Sequence, residues 1–194
     1  VKVAQLIKGT HKMQNMEGGV DIVDHTGSVT LIQDGKSNIL VDVGARGRFE
    51  ELQKKLSENN VTTNTVELII LTHFHLDHSF NIGMFPKARI IGWSHEWKSG
   101  STFRISNIET WSVAPGISIL PTPGHTPEHI SVVVAHEDGK KTVITGDAIN
   151  QDFADTKKIS AYAFDLNLYS QSAEKIMTVG KDLIIGHGEP ISLK

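Results

Sequence analysis

The heptapeptide Thr72-His-Phe-His-Leu-Asp-His78 holds three of the chain's ten histidines and one aspartate. It directly follows Val66-Glu-Leu-Ile-Ile-Leu71, an aliphatic run with the pattern of a buried strand. Residues two apart at a strand end point to the same side, so His73 and His75 can bring both imidazoles to one point above a sheet edge. Asp77 and His78 come next, in the first turn of an expected helix. Two such ligand pairs side by side suit two cations better than one. A polar, solvent-facing loop is the plain alternative, and the density of the motif argues against it.

Three later segments repeat one local event, in which a strand ends in a turn and presents a metal-type residue. Ile119-Leu-Pro-Thr-Pro-Gly-His125 delivers His125, and Val143-Ile-Thr-Gly-Asp147 delivers Asp147. Leu183-Ile-Ile-Gly-His-Gly188 delivers His187 between two glycines that let the backbone come close. Strand ends converging on one sheet edge are a natural place to assemble a site. The chain has no cysteine, which excludes thiolate metal sites, disulfides and a cysteine nucleophile. Any cation is therefore held by histidine and carboxylate.

The elements that must position these residues are largely strands. Residues 1–7, 27–33 and 38–44 are strand-like, and Asp34-Gly35 between the last two marks a hairpin turn. In residues 46–60 Phe49, Leu52 and Leu56 share one face of an expected helix that ends near Asn59 or Asn60. A short helix over 80–85 is stopped by Pro86, and a strand follows over 88–93. A second hairpin over 130–147 resembles the first: Asp138-Gly139-Lys140 matches Asp34-Gly35-Lys36, and Val143-Ile144-Thr145 matches Ile39-Leu40-Val41. Two related β-rich halves follow from this repeat, as two packed sheets with helices outside. Residues 170–180 read as a late amphipathic helix closed by Gly180, and 182–186 as a last buried strand.

With 194 residues, one domain spanning 1–194 is expected. The formal charge of -3 offers no electrostatic surplus for a polyanionic partner or an anionic membrane. No apolar run approaches the ~20 residues of a membrane helix, so the chain reads as soluble and cytoplasmic. It opens on Val1 rather than methionine, which leaves room for residues ahead of it.

The ordered set of motifs resembles the metallo-β-lactamase superfamily: a strand-end aspartate, Asp42, then His-x-His-x-Asp-His, then single His, Asp and His positions. The resemblance implies an α+β fold, the four-layer αββα sandwich. It implies His73, His75 and His125 around a first cation, and Asp77, His78 and His187 around a second. Asp147 would bridge both, and Asp42 would orient the ligands from behind. Zinc is the leading metal, with iron or manganese open because Asp147 adds hard oxygen character. The implied nucleophile is hydroxide generated between the cations, and Asp77 would also shepherd its proton. The best-known β-lactam-hydrolysing members use a cysteine at the place of Asp147, and flavodiiron proteins a glutamate at the place of His75, so neither role fits.

The leading expectation is a metal-dependent hydrolase acting on a small-molecule ester, thioester or lactone. A phosphodiesterase or ribonuclease, with nucleic acid as partner, is the runner-up that a finer likeness to small members of the superfamily implies. A mononuclear iron enzyme of the persulfide dioxygenase kind and a non-catalytic metal protein are further alternatives. A homodimer stays open. His129, four residues after His125, reads as a positioning or packing histidine, with a proton donor to the leaving group as the sharper alternative. His25 reads as structural, near the site mouth; His11, His95 and His136 read as solvated loop residues. Trp93, Trp97 and Trp111 all fall between 86 and 120, beside Lys98 and Arg104. They read as core packing with a solvated face, or else as a lip that selects substrate. Tyr162 and Tyr169 are weaker candidates for touching substrate.

Overall fold

The computed structural model describes residues 1–35, 37–98, 103–105, 107–159 and 162–193. Lys36 of the first Asp-Gly-Lys turn and residues 99–102 of the tryptophan-bearing stretch lie outside the described residues. Seven strands form one sheet in the order β1 (Lys2–Ile7), β4 (Val29–Gln33), β5 (Asn38–Val41), β6 (Leu68–Leu71), β7 (Arg89–Gly92), β8 (His95–Trp97) and β9 (Phe103–Ile105). Six form the other, in the order β10 (Ser112–Ala114), β11 (Ile117–Pro121), β12 (Ile130–Ala135), β13 (Lys141–Gly146), β14 (Asp182–Ile185) and β15 (Ile191–Ser192). Among the described residues, β2 (Thr10–Met16) and β3 (Gly19–Thr26) pair only with each other. Each large sheet repeats one device. A hairpin, β4 with β5 or β12 with β13, is antiparallel, and its second strand then runs parallel to β6 or β14.

Period-two alternation of aliphatic residues builds the layers. Ile39 and Val41 of β5, Leu68 and Ile70 of β6, and Ile130, Val132 and Val134 of β12 meet between the sheets with Ile144 and Ile184. Their neighbours face outward. Leu40, Ile69 and Leu71 pack beneath Leu52 and Leu56 of helix α1 (Phe49–Glu58). A single turn, α2 (Leu76–Ser79), follows β6. Val133, Val143, Leu183 and Ile185 pack beneath Phe153 of α3 (Gln151–Thr156) and Tyr169, Ala173 and Ile176 of α4 (Leu166–Val179). Each fully buried aliphatic contributes about 1.5–3 kcal/mol. The layers run helix, sheet, sheet, helix, which is the αββα sandwich.

Three local differences from the sequence reading have physical causes. The helix expected over 80–85 is a 3-10 turn at Ile82–Met84. Helix α4 begins at Leu166, four residues before the expected start, because Asp165 Oδ1 accepts from the Asn167 and Leu168 amides at 2.9 Å each. The β2–β3 hairpin was not expected at all. It turns at Gly18, with φ +87°, and leaves Met13, Met16, Ile22 and Val23 exposed, so it lacks the one-sided apolar alternation that marks a packed strand. Its roots are tied to the second half of the chain: the Gly188 amide donates to the Gly9 carbonyl at 3.0 Å, and Ser28 to Gly186 at 2.8 Å. No helix of the described residues is long and apolar enough to cross a membrane.

Candidate metal centre

Parallel pairing of β5 with β6, and of β13 with β14, aligns the ends of these strands, and the chemistry-bearing residues hang from those ends. Asp42 follows β5; His73 and His75 follow β6, with Asp77 and His78 in α2. His125 follows β11, Asp147 follows β13 and His187 follows β14. The structure brings all seven of the proposed ligands together. The rings of His73, His75 and His125 stand 4.5 to 4.9 Å apart between centroids, nearly perpendicular to one another. His125 Nε2 lies 3.1 Å from His75 Nδ1. Asp147 lies between the groups, with Oδ1 3.3 Å from His78 Nε2 and Oδ2 3.3 Å from His125 Nε2 and 3.4 Å from His187 Nε2. Asp77 Oδ2 is 3.3 Å from His78 Nε2 and 3.4 Å from His187 Nε2.

These separations decide whether a cation fits. Ligand bonds of about 2.0–2.1 Å in tetrahedral array set the donor atoms about 3.3–3.4 Å apart. The same distances would suit hydrogen bonds, yet His73 Nε2, Asp77 Oδ2, His78 Nε2, Asp147 Oδ1 and His187 Nε2 are buried and make none. Such orphans are rare, because each costs about 1–3 kcal/mol. The ligand atoms of His73, His75 and His125, and those of His73, His78 and Asp147, lie within 4.8 Å of one another, and histidine nitrogen with carboxylate oxygen is a donor set suited to a divalent ion.

Hydrogen bonds behind the site fix which ring nitrogen carries the proton. Asp42 Oδ1 accepts from the Thr72 amide, and Oδ2 accepts from Thr72 Oγ1 and His78 Nδ1, each at 2.8 Å. The Thr72 hydroxyl has spent its proton on Asp42, so at 3.0 Å it accepts from His73 Nδ1. His187 Nδ1 donates to the Thr10 carbonyl at 3.1 Å. In His73, His78 and His187 alike, the bond at Nδ1 leaves Nε2 free to face the centre. Asp42 holds its three donors with a backbone φ of +59°, a conformation aspartate tolerates better than most residues. Two glycines are required by contact: a Cβ on Gly27 would meet His78 Nδ1 at 2.5 Å, and one on Gly186 would meet Asp147 Oδ1 at 1.9 Å.

His129 is buried beside the centre and uses both nitrogens. Its Nε2 accepts the Asp147 amide at 3.2 Å, and its Nδ1 donates to Thr122 Oγ1 at 3.0 Å. No nitrogen is left to protonate a leaving group, so its role is to hold Asp147. Burial pulls its pKa down to about 3. Burial also holds His73 far below the usual imidazole range, with the neighbouring His78 adding to the effect. For Asp147, burial favours the neutral acid, but His78 and His187 outweigh it and hold the carboxyl well below its ordinary value.

A cavity of about 590 Å³ opens over this centre. One wall is the β2–β3 hairpin, through His11, Met13, Ile22 and His25; the other is Ile149, Asn150, Asp152, Lys158, Ile159, Tyr162 and Tyr169. Both tyrosines therefore line it. None of the described residues from 86 to 120 does. Trp93 and Trp111 pack against the inter-sheet core, and Trp97 lies edge-on to Phe74 at 6.4 Å, so this stretch is core packing with a solvated face. Lys98 and Arg104 sit on that side, away from the cavity. His11 and His95 stand on strands rather than loops, and His136 bonds Thr142 Oγ1 at 2.9 Å. His25 is the residue the sequence reading undervalued. It sits on β3 with Nε2 3.2 Å from Asp77 Oδ2, opposite His11 in the hairpin register.

The profile of the metallo-beta-lactamase superfamily matches residues 22–104. Metallo-beta-lactamase domain-containing protein 1 of Xenopus laevis is 30% identical over 176 residues, which cover 89% of this chain and 75% of that protein. The chain belongs to the metallo-β-lactamase superfamily. A structure of a candidate metallo-beta-lactamase from Thermotoga maritima superposes with a TM-score of 0.76 at 21% identity, covering 98% of each chain. An N-acyl homoserine lactone hydrolase, solved with its product N-hexanoyl-L-homoserine at the catalytic metal centre, superposes with a TM-score of 0.62 at 20% identity. That match covers 83% of this chain and 80% of the other. The protein is thus a metallo-β-lactamase superfamily hydrolase with a histidine and aspartate cluster able to hold divalent metal.

Proposed function

We propose that residues 1–194 act as one domain, a dinuclear and zinc-dependent hydrolase of small-molecule esters, thioesters or lactones. His73, His75 and His125 would hold the first cation and Asp77, His78 and His187 the second, with Asp147 reaching both. The observation that carries this reading is the set of five buried, unbonded ligand atoms, of which Asp77 Oδ2, His78 Nε2, Asp147 Oδ1 and His187 Nε2 have neighbours at 3.3 to 3.4 Å. When bound, the cations supply Lewis acidity and ionise water near neutral pH.

The chain's own groups arrange the rest. Asp42 and Thr72 keep His73 and His78 in the ligating tautomer, and His129 fixes the backbone of Asp147. Burial favours the neutral acid at Asp77, but His78 and then His25 outweigh it and hold the carboxyl below its ordinary value, so it is placed to take a proton from the nucleophile. The Tyr169 hydroxyl is buried, lines the cavity and makes no hydrogen bond; burial pushes its pKa well above the ordinary phenol value, so it remains a donor for a developing oxyanion. Met13, Ile22, Ile149 and Ile159 give the cavity apolar walls, and Lys158, offset by Asp152, is among the described residues the one lysine or arginine lining it. A nucleic-acid backbone with one charge per phosphate would need more cations than that.

The test pairs metal analysis of the purified chain with a substrate panel. About two zinc per chain and turnover of lactone or thioester support the reading. Turnover of bis-p-nitrophenyl phosphate alone would move the assignment to phosphodiester hydrolysis, and one iron per chain with oxygen consumption would move it to the dioxygenase class.

A further inference from the structure

We propose that His25 is a ligand of the second cation alongside Asp77 and His187, so that metal binding fastens the β2–β3 hairpin over the cavity. The inference rests on the metal centre proposed above and adds a residue to it. His25 Nε2, Asp77 Oδ2 and His187 Nε2 all lie within 4.8 Å of one another. The ring centroids of His25 and His187 are 4.8 Å apart with the rings stacked at 13°, which sets their edges side by side at the cavity mouth, unlike the nearly perpendicular trio of His73, His75 and His125. The 3.2 Å from His25 Nε2 to Asp77 Oδ2 is the edge length that two ligands of one cation present.

The alternative is that His25 only donates a hydrogen bond to Asp77. The structure argues against it, because Asp77 Oδ2 accepts no hydrogen bond, so the axis of His25 Nε2 points past that oxygen. The far side of the ring agrees. His25 Nδ1 lies 3.0 Å from His11 Nδ1, and of two facing neutral nitrogens one donates and one accepts. With Asp77 taking no proton from Nε2, His25 donates at Nδ1 and turns the Nε2 lone pair toward the centre. This is the arrangement in which metal-ligating histidines are held by an outer acceptor.

The mechanical consequence follows from where His25 stands. The hairpin carries His11, Met13 and Ile22 along the cavity wall but, among the described residues, pairs with neither large sheet. At its root it is tied to the body by His187 Nδ1 on the Thr10 carbonyl, by the Gly9 and Ser28 bonds to Gly188 and Gly186, and by the Ala45 amide on Thr26 Oγ1 at 3.0 Å. Arg48 reaches Asp24 Oδ1 at 3.2 Å, and farther out the Tyr162 hydroxyl touches Met13 Sδ at 3.5 Å. A bond from His25 to the cation would add a tie one residue from the end of β3, and the cation's other ligands belong to the rigid strand ends.

The deciding experiment loads the full chain with ¹¹³Cd²⁺ and records ¹⁵N spectra of the histidine rings. Nε2 of His25 is expected to show coupling to cadmium, as are the ring nitrogens of His78 and His187. Coupling at the other ligands with none at His25 overturns the inference and leaves the metal centre standing; no coupling at any histidine sinks both. His25→Ala supplies a second readout. The second Zn²⁺ should weaken by about 10-fold or more in competition with a chromophoric chelator, while the first is unchanged. Metal should slow amide exchange across residues 10–26 in the parent chain and not in the variant. Equal protection in both would refute the fastening.

Discussion

Replacing Gly186 by alanine tests the shared role of Asp147 without touching any ligand. The new methyl carbon would sit 1.9 Å from Asp147 Oδ1, where ordinary contact starts at 3.4 Å, so the carboxylate must retreat by about 1.5 Å, the difference of the two. The methyl cannot yield instead, because the Gly146 carbonyl carbon and oxygen already stand 2.9 and 3.0 Å from it. A carboxylate oxygen ligates at about 2.0–2.2 Å, so a shift of that size removes it from the coordination sphere. Asp147 meets His78, His125 and His187, hence both cations should weaken together, by more than the 10–100-fold typical of losing an outer partner. Crowding should cost a further ~1–3 kcal/mol of stability in the metal-free chain. Zinc content after dialysis reads the first effect and urea unfolding the second. Gly83→Ala is the control, since a Cβ there meets nothing within 4 Å. Full two-metal occupancy and undiminished hydrolysis in Gly186→Ala would refute the placement of Asp147 as a ligand.

Tyr169→Phe should fold and bind metal as the parent does, because the lost hydroxyl has no partner, while kcat falls about 100-fold or more if that hydroxyl meets the oxyanion; an unchanged kcat removes it from the mechanism. His129 is held near pKa 3 in the folded state against about 6.5 unfolded, so below pH 6.5 the unfolded chain binds the extra proton. The contribution of His129 to the stability of the metal-free chain should therefore be full above pH 6.5 and fall by up to about 5 kcal/mol toward pH 3, read as the difference in urea midpoints from His129→Gln, which should flatten the slope by one proton. Chelation should lower the melting temperature, with the loss of amide protection concentrated at residues 72–78 and 145–148 and in the 10–26 hairpin; uniform loss across the αββα layers would contradict a centre that ties strand ends.

The layers were legible because aliphatic alternation in β5, β6, β12 and β14 has a single explanation: each strand is buried on both faces. The seven clustered residues were legible for a related reason, since each follows the end of a strand, Asp77 and His78 in the single turn α2 that succeeds β6. What escaped the sequence reading depends on geometry that local pattern does not encode. The β2–β3 hairpin presents polar and apolar residues to solvent and cavity alike, so no buried face gives it a period. One signal was available: His11 and His25 stand at equal distances on either side of the turn residue Gly18, as facing positions of a hairpin do. The cavity wall around Lys158, Ile159 and Tyr162 is assembled by a loop against that hairpin, and the tryptophans drew attention to the wrong stretch because ring chemistry alone does not reveal which side of a sheet a ring occupies.

The threonines show how far the site is determined from outside its ligands. Thr72 has one hydroxyl proton, and giving it to Asp42 obliges His73 to donate at Nδ1 and present a bare Nε2. Asp42 does the same directly to His78, so one buried carboxylate sets the tautomer of a histidine on each side of the proposed centre. In the second half, Thr122 stands on His129 Nδ1 and leaves its Nε2 to accept the Asp147 amide. The two halves of the fold thus solve the same problem with one residue type: a hydroxyl that can accept at one lone pair while donating elsewhere, placed one turn of hydrogen bonding behind the ligands. Asp42 and Thr72 come from the first sheet, Thr122 and His129 from the second, and the donor atoms they aim meet only where the sheets meet. A cation bound there would bond to groups already facing it, with little left to reorganise.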